Sequence, residues 1–204
     1  SFDVAKRAVD FLIQMSGNRQ HCEIDFFGGE PLLNWEVVKQ TVEYIESIQE
    51  KHNKIFKLTL TTNGMLLNQE KIDYVNEHKM SLVLSLDGRE DVHNSMRPVA
   101  GSGAESYQYV AKNLVNAVKQ RHGLEYYVRG TYTHKNLDFT KDVLAMSDLG
   151  FEHLSMEPVV GEDGDYVLRE EDWPILEKEY EKLADLYLER QKEGWGEKFN
   201  FFHF

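Results

Sequence analysis

The sequence predicts an α/β fold built on a parallel sheet, and three features support this prediction. Short segments rich in Leu, Val, Phe and Tyr have the composition of strands. Longer segments between them repeat apolar residues every three to four positions, as Val38, Val42 and Ile45 do, which is typical of amphipathic helices. Strand–helix alternation of this kind requires right-handed crossovers between parallel strands. Five strands are predicted, fewer than a closed eight-stranded barrel contains.

The predicted elements alternate along the whole chain. The predicted strands are 22–27, 55–61, 80–86, 124–133 and 152–157. The predicted helices are 2–15, 35–51, 68–78, 106–121, 138–148 and a long charged helix near 171–192. The run from Phe199 to Phe204 is strand-like and apolar, and an apolar end needs something to pack against. We therefore expect the chain to be part of a longer protein.

Two loops interrupt this alternation. Residues 87–105 contain one proline and several glycines, and we expect this segment to be a loop that covers a binding face. Residues 158–170 contain Pro158, two glycines and four acidic residues, which favours a solvated connection. We find no internal repeat and no interdomain linker in the sequence, so residues 1–204 are predicted to belong to one domain.

Composition excludes some classes of function. A formal net charge of −12 argues against a protein that binds nucleic acid through its phosphates, because such a protein needs basic stripes. No apolar run approaches the roughly eighteen residues that a membrane span requires. No secretory signal is visible either, so we expect a cytoplasmic protein without a membrane partner.

Cys22 is the only cysteine of the chain. A single cysteine can form neither an intrachain disulfide nor a site made of cysteines alone, so we predict no metal ligands among these residues. A lone cysteine at the start of a buried strand is most often a small apolar side chain in the core. We interpret Cys22 in this way.

The segment Gly28-Gly29-Glu30-Pro31 is the most informative motif. It follows the first predicted strand and precedes the helix that begins near residue 35. Two glycines at the end of a strand let the backbone bend sharply and expose its amides and carbonyls to a ligand. A neighbouring carboxylate can bind a cation such as an amino-acid ammonium. The alternative is an ordinary turn, because Gly and Pro occur in many loops.

Polar residues recur at the carboxyl ends of the other predicted strands. In parallel α/β folds these ends converge on the ligand site. Each group also has a simpler explanation, since Asn-Gly and Asp-Gly are common turn dipeptides and Thr or Ser can satisfy backbone groups. Five such groups at one edge favour a ligand site. The residues concerned, besides the first motif, are Thr62, Asn63, Ser85, Asp87, Arg129, Met156 and Glu157.

Arg129 is the sharpest single candidate. Its neighbours Tyr127, Val128 and Tyr132 predict a buried strand, in which a guanidinium needs a partner. One possibility is an internal ion pair with the carboxylate of Glu30, Asp87 or Glu157. The other possibility is a bidentate contact with the carboxylate of a ligand. The residues alone do not decide between these two.

The motifs Gly-Gly-Glu-Pro, Thr-Thr-Asn-Gly, Ser-Leu-Asp-Gly and His-Asn-Ser-Met-Arg occur here in one order along the chain. This series resembles the core of radical S-adenosylmethionine (SAM) enzymes, and in particular the SPASM-type peptide maturases. Several segments further resemble the SCIFF maturases, which form thioether crosslinks in six-cysteine peptides. These segments are 25–33, 58–64, 83–88, 126–133, 136–139 and 157–160, together with the closing 201–204.

The resemblance implies roles for residues at the first two strand ends. Gly28, Gly29 and Glu30 would hold the ammonium of the SAM methionyl group. Thr62 and Asn63 would line the adjacent strand end. Gly28, Gly29 and Glu30 are the residues that match the Gly-Gly-Glu-Pro motif of the family.

It also implies roles at the remaining strand ends. Ser85 and Asp87 would face the methionyl and ribose region of SAM. Arg129 would pair with the SAM carboxylate, while Met156 and Glu157 would lie near the adenosine. No residue emerges as a catalytic acid or base, although Asp87 or Glu157 could take such a role.

The family also requires parts that this sequence lacks. Radical SAM chemistry uses a [4Fe-4S] cluster held by a CxxxCxxC loop, which in the family precedes the first helix seen here. The resemblance therefore implies that residues 1–204 are the central part of a (β/α)6 partial barrel. A cluster loop and leader-recognition segment would lie upstream, and a SPASM-type domain would lie downstream. We expect this chain alone to be inactive, and the whole enzyme to need a precursor peptide and an electron donor.

Two other functions stay open from the residues alone. One is a non-catalytic α/β module that binds a small ligand or peptide, which the lone cysteine favours. The other is a metal-free barrel enzyme, which would need phosphate-binding glycines after the late strands, and the sequence offers no convincing set.

Overall fold

A computed structural model describes the backbone of residues 1–204 and every side chain except that of Glu197. Six strands form one sheet, and their spatial order is their order in the chain. Every neighbouring pair is parallel. The five predicted strands are confirmed, and the strand-like run near the end contributes a sixth. The strands are β1 His21–Phe26, β2 Ile55–Thr62, β3 Ser81–Ser85, β4 Tyr126–Tyr132, β5 His153–Pro158 and β6 Asn200–Phe201.

Helices connect these strands, and the six predicted helices are all present. Short 3₁₀ turns precede two of them, at Pro31–Asn34 and Glu170–Asp172. The helices are α1 Phe2–Ser16, α2 Trp35–Ile48, α3 Gln69–Glu77, α4 Glu90–Met96, α5 Tyr107–Lys119, α6 Thr140–Asp148 and α7 Trp173–Lys192. None of the helices in the described chain is both long and apolar enough to cross a membrane.

Helix α4 was not predicted, because the sequence favoured a loop over 87–105. The helix has seven residues and begins with Glu90 and Asp91, whose negative charges suit the first turn of a helix. It ends at Met96, just before Pro98, which cannot continue a helix. A helix of two turns is too short to show a clear apolar period. The nearby Gly and Pro residues therefore led to the prediction of a loop. The connection 158–170 was predicted correctly, since only its ends belong to regular elements.

The two faces of the sheet differ in chemistry. Strands that follow one another through right-handed crossovers place all their helices on one face. Leu60, Leu84 and Val128 point to that face and are fully buried in the core. Side chains alternate across a strand, so Thr61, Ser85 and Arg129 point the other way. We call the face without helices the inner face. Part of it borders a cavity of about 1000 Å³.

Close packing at two glycines brings the sheet and its helices together. A Cβ on Gly130 would lie 2.5 Å from the Sδ of Met156 and 2.8 Å from the carbonyl oxygen of Leu86. A Cβ on Gly88, whose φ is +95°, would lie 2.2 Å from the Cβ of Asp142. Neither position can hold a larger residue without displacing a neighbouring element. Cys22 is buried with its thiol free, which confirms its interpretation as a core residue.

Candidate active site

The carboxyl end of β1 opens into exposed backbone at Gly28 and Gly29. Gly28 has a φ of +146°, in the range that side chains rarely adopt. A Cβ on either glycine would meet no atom within 4 Å, so the space beside this backbone is open. A ligand can therefore approach the peptide groups directly.

Glu30 joins this segment to the end of β2. Its Oε1 accepts hydrogen bonds from the Thr62 hydroxyl at 2.9 Å and from the Leu32 amide at 3.0 Å. Its Oε2 accepts from the Asn63 amide at 2.8 Å. A carboxylate has about four lone-pair sites. Three are occupied here, and the half-buried side chain keeps capacity for one further donor.

Thr62 and Asn63 also shape the turn that follows β2. The Thr62 hydroxyl accepts from the Gly64 amide at 3.1 Å, and Asn63 Oδ1 accepts from the Met65 amide at 3.0 Å. Gly64 has a φ of +76°. Both side chains therefore satisfy the turn, as the simpler explanation proposed. They also lie beside Glu30, so the two explanations are compatible.

Asp87, which follows β3, is held entirely within the protein. It is 2% exposed, and its carboxylate accepts from Arg97 Nε at 2.6 Å and from Arg97 Nη2 at 3.0 Å. Its Oδ1 also accepts from the backbone amide of Thr131 in β4 at 3.0 Å. Asp87 thus fixes the end of β4 to helix α4. A contact with a ligand stays a prediction for this residue and for Ser85, which lies at the last position of β3.

Arg129 forms no salt bridge with a described carboxylate. Glu30, Asp87 and Glu157 all have other partners, so the proposed internal ion pair with one of them is wrong. In the sheet register Arg129 lies between Ser85 of β3 and Ser155 of β5. Two serines therefore flank the half-buried Arg129 in the sheet, and its charge also acts on the carboxylate of Asp25. This arrangement leaves its positive charge available to an anion.

Asp25 is a candidate that the sequence reasoning missed. It lies at the inner face of β1 and accepts from the Thr61 hydroxyl at 3.2 and 3.3 Å. Partial burial raises the pKa of Asp25, while the Thr61 hydrogen bond and the charge of Arg129 act in the opposite direction. A usable signal was present, because Glu23 and Asp25 alternate with the apolar Cys22 and Ile24.

Met156 and Glu157, the last two predicted site residues, lie on opposite faces of the sheet near the end of β5. Met156 is fully buried against Gly130 in the core. Glu157 lies on the inner face, where it accepts from the Ser155 hydroxyl at 3.0 Å and lies 3.4 Å from His203 Nε2. Ser155 and His203 were not predicted as site residues. Nearness of Met156 and Glu157 to an adenosine stays a prediction.

Comparison with known proteins shows the family and the fold of the chain. The family model of the radical SAM superfamily matches residues 4–152. An uncharacterised protein of Methanocaldococcus jannaschii is 25% identical over 195 residues, which cover 89% of this chain and 65% of the relative. A cysteine-type anaerobic sulfatase-maturating enzyme of Clostridium perfringens is 36% identical over 81 residues, or 38% of this chain and 21% of that enzyme.

Solved structures show the same fold. A structure of native anSMEcpe with bound AdoMet has a TM-score of 0.80 and 21% identity, and the match covers 98% of this chain and 54% of that one. This likeness confirms the predicted partial barrel. The chain spans about half of the solved chain and at most 65% of these relatives. Because the family model covers more than half of the chain, we conclude that the chain belongs to the radical SAM superfamily, whose cofactors are S-adenosylmethionine and an iron–sulfur cluster.

Proposed function

We propose that this chain is the SAM-binding barrel of an enzyme that modifies a peptide by radical chemistry. One observation carries the proposal. The free cation of Arg129 lies at the same edge of the sheet as the open backbone of Gly28 and Gly29 and the carboxylate of Glu30. An amino-acid group carries one ammonium and one carboxylate, and this edge offers a complement for each.

The residues present fit SAM in the following way. The exposed carbonyls near Gly28 and Gly29, with the remaining acceptor site of Glu30, would hold the ammonium. Arg129 would hold the carboxylate through paired N–H groups, which is the geometry that a guanidinium favours. Ser85 would contribute its hydroxyl beside Arg129.

Other predicted residues would support this site at its border. Thr62 and Asn63 would position Glu30, and Asp87 would position β4 beside the methionyl and ribose region of SAM. Glu157 would face the nucleoside end. Met156 would support the same end from the core side of the sheet. These roles follow from hydrogen bonds and burial, and each is a proposal for mutagenesis.

The iron–sulfur cluster does not fit the residues of this chain. The sequence contains a single cysteine, and Cys22 is buried in β1. Among the described residues no group of three or more His, Cys, Asp or Glu side chains could hold a metal ion. We propose that the cluster ligands lie on a segment upstream of residue 1. In the whole enzyme, SAM and such a cluster would supply radical chemistry, a 5′-deoxyadenosyl radical able to take a hydrogen atom from a substrate.

The proposed substrate is a ribosomally made, cysteine-rich precursor peptide in which the whole enzyme forms thioether crosslinks. Support comes from the similarity of the quoted segments to the SCIFF maturases and from a neighbour at TM-score 0.79, native anSMEcpe with bound AdoMet and Kp18Cys peptide. An electron donor and a cytoplasmic location belong to the same proposal.

Calorimetric titration with SAM tests the binding site in this chain. We expect Arg129→Ala to weaken binding about tenfold, since one charge-assisted pair contributes roughly 1.5 kcal/mol. Arg19→Ala is the matched control, because Arg19 is an exposed arginine in the turn before β1, at the opposite edge of the sheet.

A second ligand makes the test specific. 5′-Methylthioadenosine keeps the nucleoside of SAM but lacks both the ammonium and the carboxylate. Arg129→Ala should leave its affinity unchanged. An equal loss for both ligands, or no loss for SAM, would contradict the assignment of Arg129 to the carboxylate.

A further inference from the structure

Three polar side chains meet on the inner face at the end of β5. The Ser155 hydroxyl lies 3.0 Å from Glu157 Oε1 and 3.3 Å from His203 Nε2, and His203 Nε2 lies 3.4 Å from the same carboxylate oxygen. Ser155 is buried, whereas about a third of each of the other two side chains is exposed. The group is therefore ordered by contacts inside the protein and still open on one side.

One tautomer of the neutral imidazole complements both of its polar neighbours. We assign the hydrogen to Nε2, because Nε2 lies 3.4 Å from Glu157 Oε1 and a carboxylate can only accept. The Ser155 hydroxyl donates to the same carboxylate, and its oxygen can accept from Nε2–H. The other ring nitrogen, Nδ1, is then an acceptor, and no described group donates to it. An imidazole oriented in this way by a carboxylate is arranged as a general base.

The position of this imidazole relates it to the proposed SAM site. Ser155 pairs with Arg129 in the sheet register, and Glu157 pairs with Thr131. His203 therefore lies on the β5 side of Arg129, at the same edge of the sheet. The charged groups that face it are Glu157 from β5 and, one strand away, Arg129 from β4. Its remaining neighbours are the rings of Phe201 and Phe202.

We propose that Nδ1 of His203 accepts the proton of the substrate cysteine thiol, with Glu157 and Ser155 as positioning residues. This inference rests on the proposed function, since it needs a cysteine-containing peptide. In the proposed step the S–H bond breaks, the proton moves to Nδ1 and the electron pair stays on sulfur. A thiol with a pKa near 8.5 is mostly protonated at neutral pH, and the thiolate is the reactive form. A base at this position would therefore convert the thiol to the reactive thiolate.

A glutamine at position 203 separates this role from a merely structural one. The terminal amide of His203→Gln can donate to Glu157 much as Nε2 does, but it has no basic nitrogen. In the whole cluster-loaded enzyme with a cysteine-rich precursor peptide, we expect 5′-deoxyadenosine formation to continue. Thioether formation should fall by about 100-fold, the typical contribution of a general base. Wild-type thioether formation in His203→Gln, or an equal loss of 5′-deoxyadenosine, overturns the proposal.

A measurement on the present chain tests the ring without any cofactor. Nitrogen-15 NMR of His203 should show the hydrogen on Nε2 at pH 8, and Glu157→Gln should shift the ring toward a mixture of both tautomers. A hydrogen on Nδ1 in the wild type overturns the proposal. A failure of the proposed function would give a different result from a failure of the His203 proposal. In that case the wild-type enzyme itself would form no 5′-deoxyadenosine.

Discussion

Arg121 lies in the connection between α5 and β4, Arg129 lies within β4, and the two arginines have opposite surroundings. Arg121 is 2% exposed, and its guanidinium donates to the backbone oxygens of Met80 and Glu125 and to the side chain of Asn76. Arg129 is half-buried and forms no salt bridge with a described side chain. Both Nη atoms of Arg121 donate to groups of the fold, although its buried Nε has no partner, whereas no described group accepts a hydrogen bond from the Arg129 side chain. A buried cation held by protein acceptors stabilises the fold, whereas one that lacks acceptors near the carboxyl ends of strands is suited to a ligand.

The largest expected effect is on stability, at Arg121. Arg121→Met should lower the free energy of unfolding by about 3 kcal/mol, because two buried carbonyl groups lose a charged donor. Arg129→Met is the matched variant and should change it by less than about 0.5 kcal/mol. Urea unfolding followed by circular dichroism measures both. Equal losses would show that the surroundings of the two arginines do not differ as described.

Arg97 should show an intermediate effect. Removing it in Arg97→Ala leaves the Asp87 carboxylate buried without its ion partner, at a cost of about 2 kcal/mol, since Arg97 itself is partly exposed. The double variant Arg97→Ala with Asp87→Asn should recover part of this loss, because it removes the buried charge. A loss that the second substitution does not reduce would mean that Arg97 contributes through packing alone. Urea midpoints of the single and double variants decide this.

The smallest expected effect is a change in acid stability at Asp138. The guanidinium of Arg89 holds the pKa of Asp138 at about 2, below its ordinary value. A lowered pKa in the folded state stabilises the fold above the unfolded pKa near 3.9, and the contribution is lost as the pH falls toward 2.

The matching variant for this titration is Asp138→Asn. It should reduce the pH dependence of the unfolding midpoint between pH 5 and about 2, by less than about 1 kcal/mol because the pair is partly exposed. An unchanged pH dependence would show that Arg89 is already satisfied by Asp142, its second partner. Arg89 would then resemble Arg121, because its buried partner and not the exposed Asp138 would account for its contribution to stability.

The sequence predicted the fold well where local pattern decides structure. Apolar periodicity located five strands and six helices, and the convergence of strand ends led to the proposed site edge. The sequence did not predict that Arg129 has no carboxylate partner. Asp87, one of its candidate partners, pairs instead with Arg97, which immediately follows the unpredicted helix α4. The Ser155–Glu157–His203 contacts were also out of reach, since they join β5 to residues about 48 positions away. Contacts between distant segments depend on the register of the whole sheet.

Glu30 has a consequence for the energetics of binding. Its three hydrogen bonds tie the loop after β1 to the turn after β2 before any ligand arrives. Ordering one backbone residue costs about 1–2 kcal/mol of conformational entropy. Two loops that are already held together avoid most of that cost at the moment of association, so more of the contact energy appears as affinity. Preorganisation by a single carboxylate would thus let a short, glycine-rich edge bind a flexible zwitterion.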